Sequence, residues 1–127
     1  MRAEPLREPT STLAAVSNEM VRLYKDAFGR GPTRCRADWA GPDLLVCTIE
    51  DSFTRAEQRL AEMGEHQRLR DVRLFFQYAM ASEFTSSVER HVGRPVRAFI
   101  SGIDAAEDVS AELFYFEPLT GSPPAAL

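Results

Sequence analysis

The chain has 127 residues, of which 44% are hydrophobic and 27% are charged, with a formal net charge of −4 and two cysteines. Length and composition are those of one soluble globular domain, and the acidic balance argues against a nucleic-acid-binding protein, which needs excess basic groups to neutralise phosphates. Two cysteines do not make a disulfide scaffold in a chain of this size, so we expect both to be free thiols.

Both ends of the chain differ from its middle. Residues 1–11 are polar and contain Pro5 and Pro9, which predicts a flexible arm. Residues 119–127 are rich in Gly, Ser, Pro and Ala, which predicts a disordered tail. The arm lacks the apolar core of a signal peptide, and the chain has no apolar run of about 18 residues. We therefore expect a cytoplasmic protein that does not insert into a membrane, with one domain over residues 12–118.

The first element of that domain is a helix. Apolar residues recur at spacings of three and four from Leu13 to Ala27, which is the pattern of one helix face. Thr10 or Ser11 is a suitable N-cap. Gly29 suits the left-handed position that closes a helix, and Pro32 cannot continue one. The first helix is predicted to end near Phe28.

A hairpin follows this helix. Residues 33–39 alternate in polarity, residues 40–43 have turn composition, and residues 44–50 are rich in strand-forming side chains. In the simplest register Cys35 lies opposite or nearly opposite Cys47. Such a pair can coordinate a metal or oxidise, but no second Cys or His pair is near in the sequence, so we interpret both as small core residues.

Two further helices are predicted before the second hairpin. Thr54 and Glu57 have the spacing of a capping box, which starts a second helix that ends near Gly64. Apolar residues then keep a helical period from residue 69 to 91, which predicts one long third helix that provides most of the core. Its adjacent phenylalanines widen the apolar face and indicate a second buried contact such as a dimer seam. The interface candidates are Phe75, Phe76 and Met80.

Residues 95–103 and 109–116 are predicted strands joined by an acidic turn. The corner that begins at Gly29 is echoed at Gly93-Arg94-Pro95, and each corner joins a helix to a hairpin. The absence of strand-helix-strand alternation argues against a parallel sheet. The sequence therefore predicts an α+β domain of two helix-hairpin units, with three helices packed on a four-stranded antiparallel sheet.

No catalytic chemistry is indicated by the motifs. No serine lies in a Gly-x-Ser-x-Gly turn, and neither His66 nor His91 has a partner at metal-ligand spacing. The glycine corners follow helix C-termini, where the helix dipole has the wrong sign for a phosphate loop. We expect no enzymatic activity, metal or cofactor.

Arginines near the two corners are the best candidates for binding an anion or an acidic partner, because the guanidinium group suits carboxylate and phosphate. The alternative is that strand arginines face solvent and protect the edges of the sheet. The candidates are Arg30, Arg34, Arg36, Arg94 and Arg97.

Several segments together resemble the MpsC-like family over residues 12–118. They read SNEM at 17–20, FGRGPT at 28–33, SFTRAE at 52–57, RDVR at 70–73, GRPV at 93–96 and FIS at 99–101. Arg55 stands where the family pattern has proline, although the capping box is kept. The resemblance implies the small soluble component of a sodium-translocating, membrane-potential-generating system, and it carries no catalytic or binding residues across.

Two functions remain open from the sequence. The leading hypothesis is a non-enzymatic accessory or regulatory domain that acts through protein contact as a homodimer, with a membrane-protein complex as a peripheral partner. The alternative is a sensor that binds a small ligand or an anion on the arginine-bearing sheet face or in a pocket beside the third helix.

Overall fold

A computed structural model describes residues 11–119 of the chain. The predicted arm and tail therefore lie outside the described residues, apart from Ser11 and Leu119. The elements, in chain order, are α1 (Thr12–Phe28), β1 (Arg34–Trp39), β2 (Leu44–Glu50), α2 (Arg55–Glu62), α3 (His66–Ala79), α4 (Ala81–Val92), β3 (Val96–Asp104) and β4 (Val109–Phe116).

The strands form one antiparallel sheet in the order β1-β2-β4-β3. The two hairpins therefore meet along β2 and β4, which is the order that a two-fold axis between those strands would generate. Helix α1 packs on β1, α3 packs on β3, and α4 contacts α1 and β3. The α+β class and the antiparallel sheet are confirmed.

The predicted helix ends follow from local chemistry. The Ser11 side chain accepts a hydrogen bond from the N–H of Ala14 and caps α1. Gly29 has φ 82° and Gly93 has φ 78°, and each donates its N–H to the carbonyl four residues earlier. Both glycines thus close helices in the left-handed conformation that the sequence predicts. The capping box of Thr54 and Glu57 is also present.

The core lies between the helices and one face of the sheet. Buried side chains of α1, including Val16, Met20 and Tyr24, pack with Phe84 and Val88 of α4. The sheet contributes alternate residues to this core: Ala37, Leu45, Cys47, Ile49, Phe114 and Phe116. Within residues 11–119 no element covers the other face of the sheet, which we call the open sheet face.

The single long helix predicted after residue 65 is wrong, because Met80 divides it into α3 and α4. Met80 has φ −94° and ψ 6°, although hydrogen bonds from its N–H to Phe76 and from the N–H of Phe84 to its carbonyl continue across the break. Apolar spacing continues through such an irregularity, so the sequence pattern does not reveal it. Because of the break, α3 packs on β3 and α2, whereas α4 packs mainly on α1.

The cysteines are offset by two residues in the hairpin. Cys35 pairs with Ile49, and Cys47 pairs with Ala37. Both thiols are free, and Cys47 is fully buried. Burial raises the pKa of the Cys35 thiol to about 11 and raises that of Cys47 further, so both are protonated at neutral pH.

Candidate functional site

Helix α3 turns polar side chains toward the core and apolar ones toward solvent. Its buried residues are Leu69, Arg73 and Gln77, which lie four residues apart on one face. On the outer face Phe75 is 69% exposed and Phe76 is 46% exposed, and Val72 is exposed as well. The apolar spacing predicts that Val72 and one of the two phenylalanines face the core, and this is wrong, because Arg73 and Gln77 occupy that side with their polar partners.

Arg73 is fully buried and is satisfied on several sides. Its guanidinium donates to both carboxylate oxygens of Glu57 at 2.8 and 2.7 Å and to the carbonyl of Ser52 at 2.7 Å. The same group lies 3.7 Å from the centre of the Phe28 ring. A buried charge is tolerated only with partners of this kind. Arg73 therefore fixes the first half of α3 against α2 and the end of α1.

Arg73 also affects the pKa of Glu57. Burial by itself raises the pKa of the Glu57 carboxyl, but hydrogen bonds from Arg73 and from the backbone of Thr54 outweigh burial and lower that pKa below its ordinary value. The carboxylate is thus ionised at neutral pH and forms a bidentate pair with Arg73.

Gln77 fixes the second half of α3 through a buried polar cluster. Its amide donates to the hydroxyl of Ser101 at 2.6 Å and to Glu112 Oε2 at 3.3 Å. Tyr24 donates its hydroxyl to the same oxygen of Glu112 at 2.5 Å. Burial raises the pKa of Glu112 to about 7, although hydrogen bonds from Ser101 and Tyr24 lower it. The cluster thus joins α1, α3, β3 and β4.

Two oxygens of this cluster, Gln77 Oε1 and Glu112 Oε1, have no hydrogen-bond partner among the described residues. The same holds for Ser110 Oγ, on the same buried face of β4 as Glu112. A carboxyl group with a pKa near neutrality has the properties of a general acid or base. Glu112 is fully buried, however, and its carboxyl contacts Tyr24 and Gln77 rather than solvent. The arrangement therefore positions α3 and offers a substrate no direct approach.

The outer side of α3 carries a continuous aromatic surface. The Phe76 ring packs edge-to-face on Phe75 and on Phe28, with centroids 5.5 and 6.2 Å apart. Met80, the third interface candidate, is partly buried against the core and lines the same side. A shallow cavity of about 280 Å³ adjoins the rings and is lined by Leu23, Asp26, Ala27, Phe76, Met80 and Glu83. We call Val72, Phe75, Phe76 and this cavity the α3 aromatic surface.

Two of the five candidate arginines bind within the chain. Arg30 donates to the carbonyls of Asp51 and Phe53 at 2.9 and 2.8 Å. Arg94 donates to the carbonyls of Pro42 and Glu117 and to the carboxylate of Asp43. Arg30 thus ties its corner to the segment that follows its own hairpin. Arg94 ties its corner both to the segment after its own hairpin and to the turn of the other hairpin. Both roles are structural.

The other three arginines lie on two different edges of the sheet. Arg34 and Arg36 are on β1, each with a side chain 76% exposed, and are loosely paired with Glu50 and Asp38 at 3.6 and 3.4 Å. Arg97 is on β3 and lies over the Tyr115 ring. Three strand spacings separate β1 from β3, or about 14 Å at about 4.8 Å per strand. The five candidates do not form one patch.

Sequence reasoning missed the polar residues that position α3. Arg73 and Gln77 share a helix face with Leu69, and Glu112 alternates with Phe114 on β4, so position alone placed them toward the core. Because their side chains are polar or charged, these residues are expected to face solvent, and their partners lie far away in the sequence. The one sequence signal for the cluster is that a polar residue stands at a position where the helical or strand period predicts an apolar core residue.

Within residues 11–119 no helix is both long enough and apolar enough to cross a bilayer. No group of three or more His, Cys, Asp or Glu residues in that part of the chain is arranged to hold a metal ion.

The chain matches a model of a protein family. The model of the family described as "Na+-translocating membrane potential-generating system (MpsC)" matches residues 10–118, which is most of the chain. Comparisons with curated proteins and with solved structures gave no significant match.

Proposed function

The chain belongs to the MpsC family, and we propose that it acts as a non-enzymatic accessory and regulatory domain through contact with other proteins. The family description names a Na⁺-translocating, membrane potential-generating system. We therefore propose that a membrane complex of this kind is one partner, which the chain contacts peripherally from the cytoplasm. We also propose that the chain is a homodimer.

The observation that carries this proposal is the α3 aromatic surface. Exposed large apolar patches are uncommon on monomeric proteins and mark interaction sites, and aromatic residues are enriched where interfaces are tightest. Burying one phenylalanine ring contributes about 2 kcal/mol or more to binding. Phe75 and Phe76 lie side by side, so one partner can cover both rings.

The polar contacts beneath α3 support the same function. A helix with only apolar contacts to its domain can roll to bury exposed phenylalanines. Here the pair of Arg73 with Glu57 and the contacts of Gln77 with Ser101 and Glu112 fix the helix rotation. The aromatic surface is therefore preorganised, which reduces the entropy lost on binding.

A capture experiment tests this function. Tagged protein would be incubated with the solubilised membrane fraction of the native cell, using the wild type, Phe75→Glu and the control Ala56→Glu. Ala56 is exposed on α2, so the control adds the same charge away from α3. We expect the wild type and the control to capture an ion-translocating membrane protein and Phe75→Glu to capture at least about tenfold less. Equal capture by all three, or by none, would contradict the proposal.

The second candidate function is a sensor for a small anion. The observation that favours it is the pair Arg34 and Arg36, whose exposed side chains share the open sheet face. A ligand that binds only the folded state raises the melting temperature. The sensor predicts a shift with nucleotides or organic anions that is lost in the double variant Arg34→Ala, Arg36→Ala. The absence of any shift in the wild type would count against it.

A further inference from the structure

The two edges of the sheet are protected differently. Edge strands expose unpaired N–H and C=O groups, and natural proteins guard them with charges, bulges or short length. β1 carries Arg34, Arg36 and Asp38 along its six residues. β3 is longer, at nine residues, and has no charged side chain between Ala98 and Ile103. It has no neighbouring strand on its outer side within residues 11–119.

Tyr78 of α3 guards the middle of this edge. Ser101 donates its N–H to the Tyr78 hydroxyl at 3.0 Å, and that hydroxyl donates to the Ser101 carbonyl at 3.3 Å. Because both backbone groups of Ser101 bond to Tyr78, they point away from β4 and toward the free edge. The half-exposed Tyr78 ring packs edge-to-face on Phe99. The Tyr78 hydroxyl thus forms hydrogen bonds with the N–H and carbonyl of Ser101, which an added strand would otherwise use.

We propose that the free edge of β3 is the homodimer surface, where the β3 of a second copy pairs antiparallel about Ser101, and that Tyr78 closes this edge in the unpaired chain. The proposal rests on the homodimer of the proposed function and specifies its interface. It leaves the α3 aromatic surface available to the membrane partner, because Phe75 lies on the side of α3 opposite the buried Arg73.

The strand is self-complementary about Ser101. Its regular pairing with β4 runs from Ala98 to Asp104, so Ser101 is the midpoint, and a register irregularity at Arg97 lies just before this stretch. In an antiparallel pair centred there, Ile100 lies opposite Gly102 of the second copy, which places a large side chain beside a small one. Ala98 lies opposite Asp104 of the second copy, so the neighbouring Arg97 lies beside the carboxylate of that Asp104. This match of size and charge favours a second copy over an unrelated peptide.

The hydrogen bonds of Ser101 are exchanged rather than lost on pairing. Residues opposite each other in such a pair exchange both N–H···O bonds, so the N–H and carbonyl of Ser101 would bond to the same groups of the second copy. Phe99 and Ile103, two residues away on either side, point their backbone groups to the same edge and would pair with each other across the two-fold axis. The closed and paired states therefore compete: the hydrogen bonds of Tyr78 stabilise the closed state, and a higher protein concentration favours the paired state.

Sedimentation velocity over a concentration series tests this competition. Tyr78→Phe keeps the ring and removes the hydroxyl. We expect a concentration-dependent dimer for the wild type and a dimerisation Kd about tenfold lower or more for Tyr78→Phe, because each copy loses hydrogen bonds only in its closed state. An unchanged Kd would overturn the proposal.

A charge reversal identifies the edge. In the Tyr78→Phe background, Arg97→Asp places a carboxylate beside Asp104 of the second copy, and we expect it to raise the dimerisation Kd about tenfold or more. Arg36→Asp makes the same charge change on the β1 edge, and we expect it to leave the Kd unchanged. Equal effects of the two reversals would overturn the assignment.

Hydrogen exchange provides a test that needs no variant. The Ser101 amide of the wild type should become more protected as concentration rises, and constant protection would contradict the pairing. Phe75→Glu should lose the membrane partner and keep this dimer. Failure of the β3 pairing therefore leaves the capture result for the aromatic surface intact, and the two proposals can fail separately.

Discussion

The Tyr24 hydroxyl donates to Glu112 Oε2 at 2.5 Å, so α1 is joined to β4 by a carboxyl group that is fully buried. Gln77 of α3 donates to the same oxygen. A buried carboxyl is stable when it is protonated, because the charged form loses its hydration. The contact that holds α3 in place is therefore sensitive to pH near neutrality.

This relationship predicts a pH dependence of stability. The pKa of Glu112 is about 7 in the folded chain and near its ordinary 4.5 in the unfolded chain. Between these values the folded state binds more protons, so the free energy of unfolding falls as pH rises from about 4.5 to about 7 and then levels off. The total loss is about 3 kcal/mol.

Glu112→Gln isolates this effect, because it keeps the shape and removes the titrating group. We expect the wild type to lose stability relative to the variant between pH 5 and pH 8, as measured by urea unfolding at each pH. The difference between the two proteins removes the contribution of the other titrating groups. Parallel stability curves over that range would contradict the account of Glu112.

Arg73 and Glu57 are expected to be strongly coupled. Arg73→Met leaves the Glu57 carboxylate partly buried without its partner and should cost about 3 kcal/mol. Adding Glu57→Gln removes that charge and keeps a capping amide, so the double variant should recover about 1 kcal/mol or more. A double-mutant cycle by urea unfolding measures the coupling, and strictly additive losses would show that the pair does not fix α3.

The corner glycines are expected to be needed for their backbone conformation alone. A Cβ at Gly29 or Gly93 would meet no atom within 4 Å, yet both have positive φ. Gly29→Ala and Gly93→Ala should each cost about 1 kcal/mol. Gly102 is the matched control, because it has the same open space without a positive φ. At a dilution where the chain is monomeric, Gly102→Ala should leave the melting temperature unchanged or slightly higher.

The structural and exposed arginines are expected to differ in stability effects. Arg94→Ala removes three hydrogen bonds and should cost about 1 to 2 kcal/mol. Arg36→Ala removes only an exposed pair and should change stability by less than about 0.5 kcal/mol. Chemical denaturation of both variants provides the comparison, and similar losses would mean that Arg36 also has a structural role.

The features predicted correctly from the sequence depend on residues close together in the chain. The N-cap of α1, the capping box of Thr54 and Glu57 and the left-handed glycines involve separations of three or four residues. The hairpins follow from alternation on either side of a turn. Such local signals define the elements and, with them, the α+β class.

The orientation of α3 depends on distant partners and could not be predicted in this way. Tyr24 and Glu112 are 88 residues apart, and Gln77 and Glu112 are 35 residues apart. Apolar spacing favoured Phe75 or Phe76 as a core residue, whereas these polar contacts direct both rings outward. The sequence did indicate a second apolar contact at Phe75 and Phe76, but it could not show that the helix is rotated to present them.

The central claim is that the α3 aromatic surface is covered by another protein in the cell, and photo-crosslinking tests it most directly. A photoreactive side chain would be placed at position 75 and, as a control, at position 56 on α2, and crosslinks would be identified in living cells. The account predicts that position 75 crosslinks to an ion-translocating membrane protein and that position 56 does not. Crosslinking from position 75 no greater than from position 56 would contradict it.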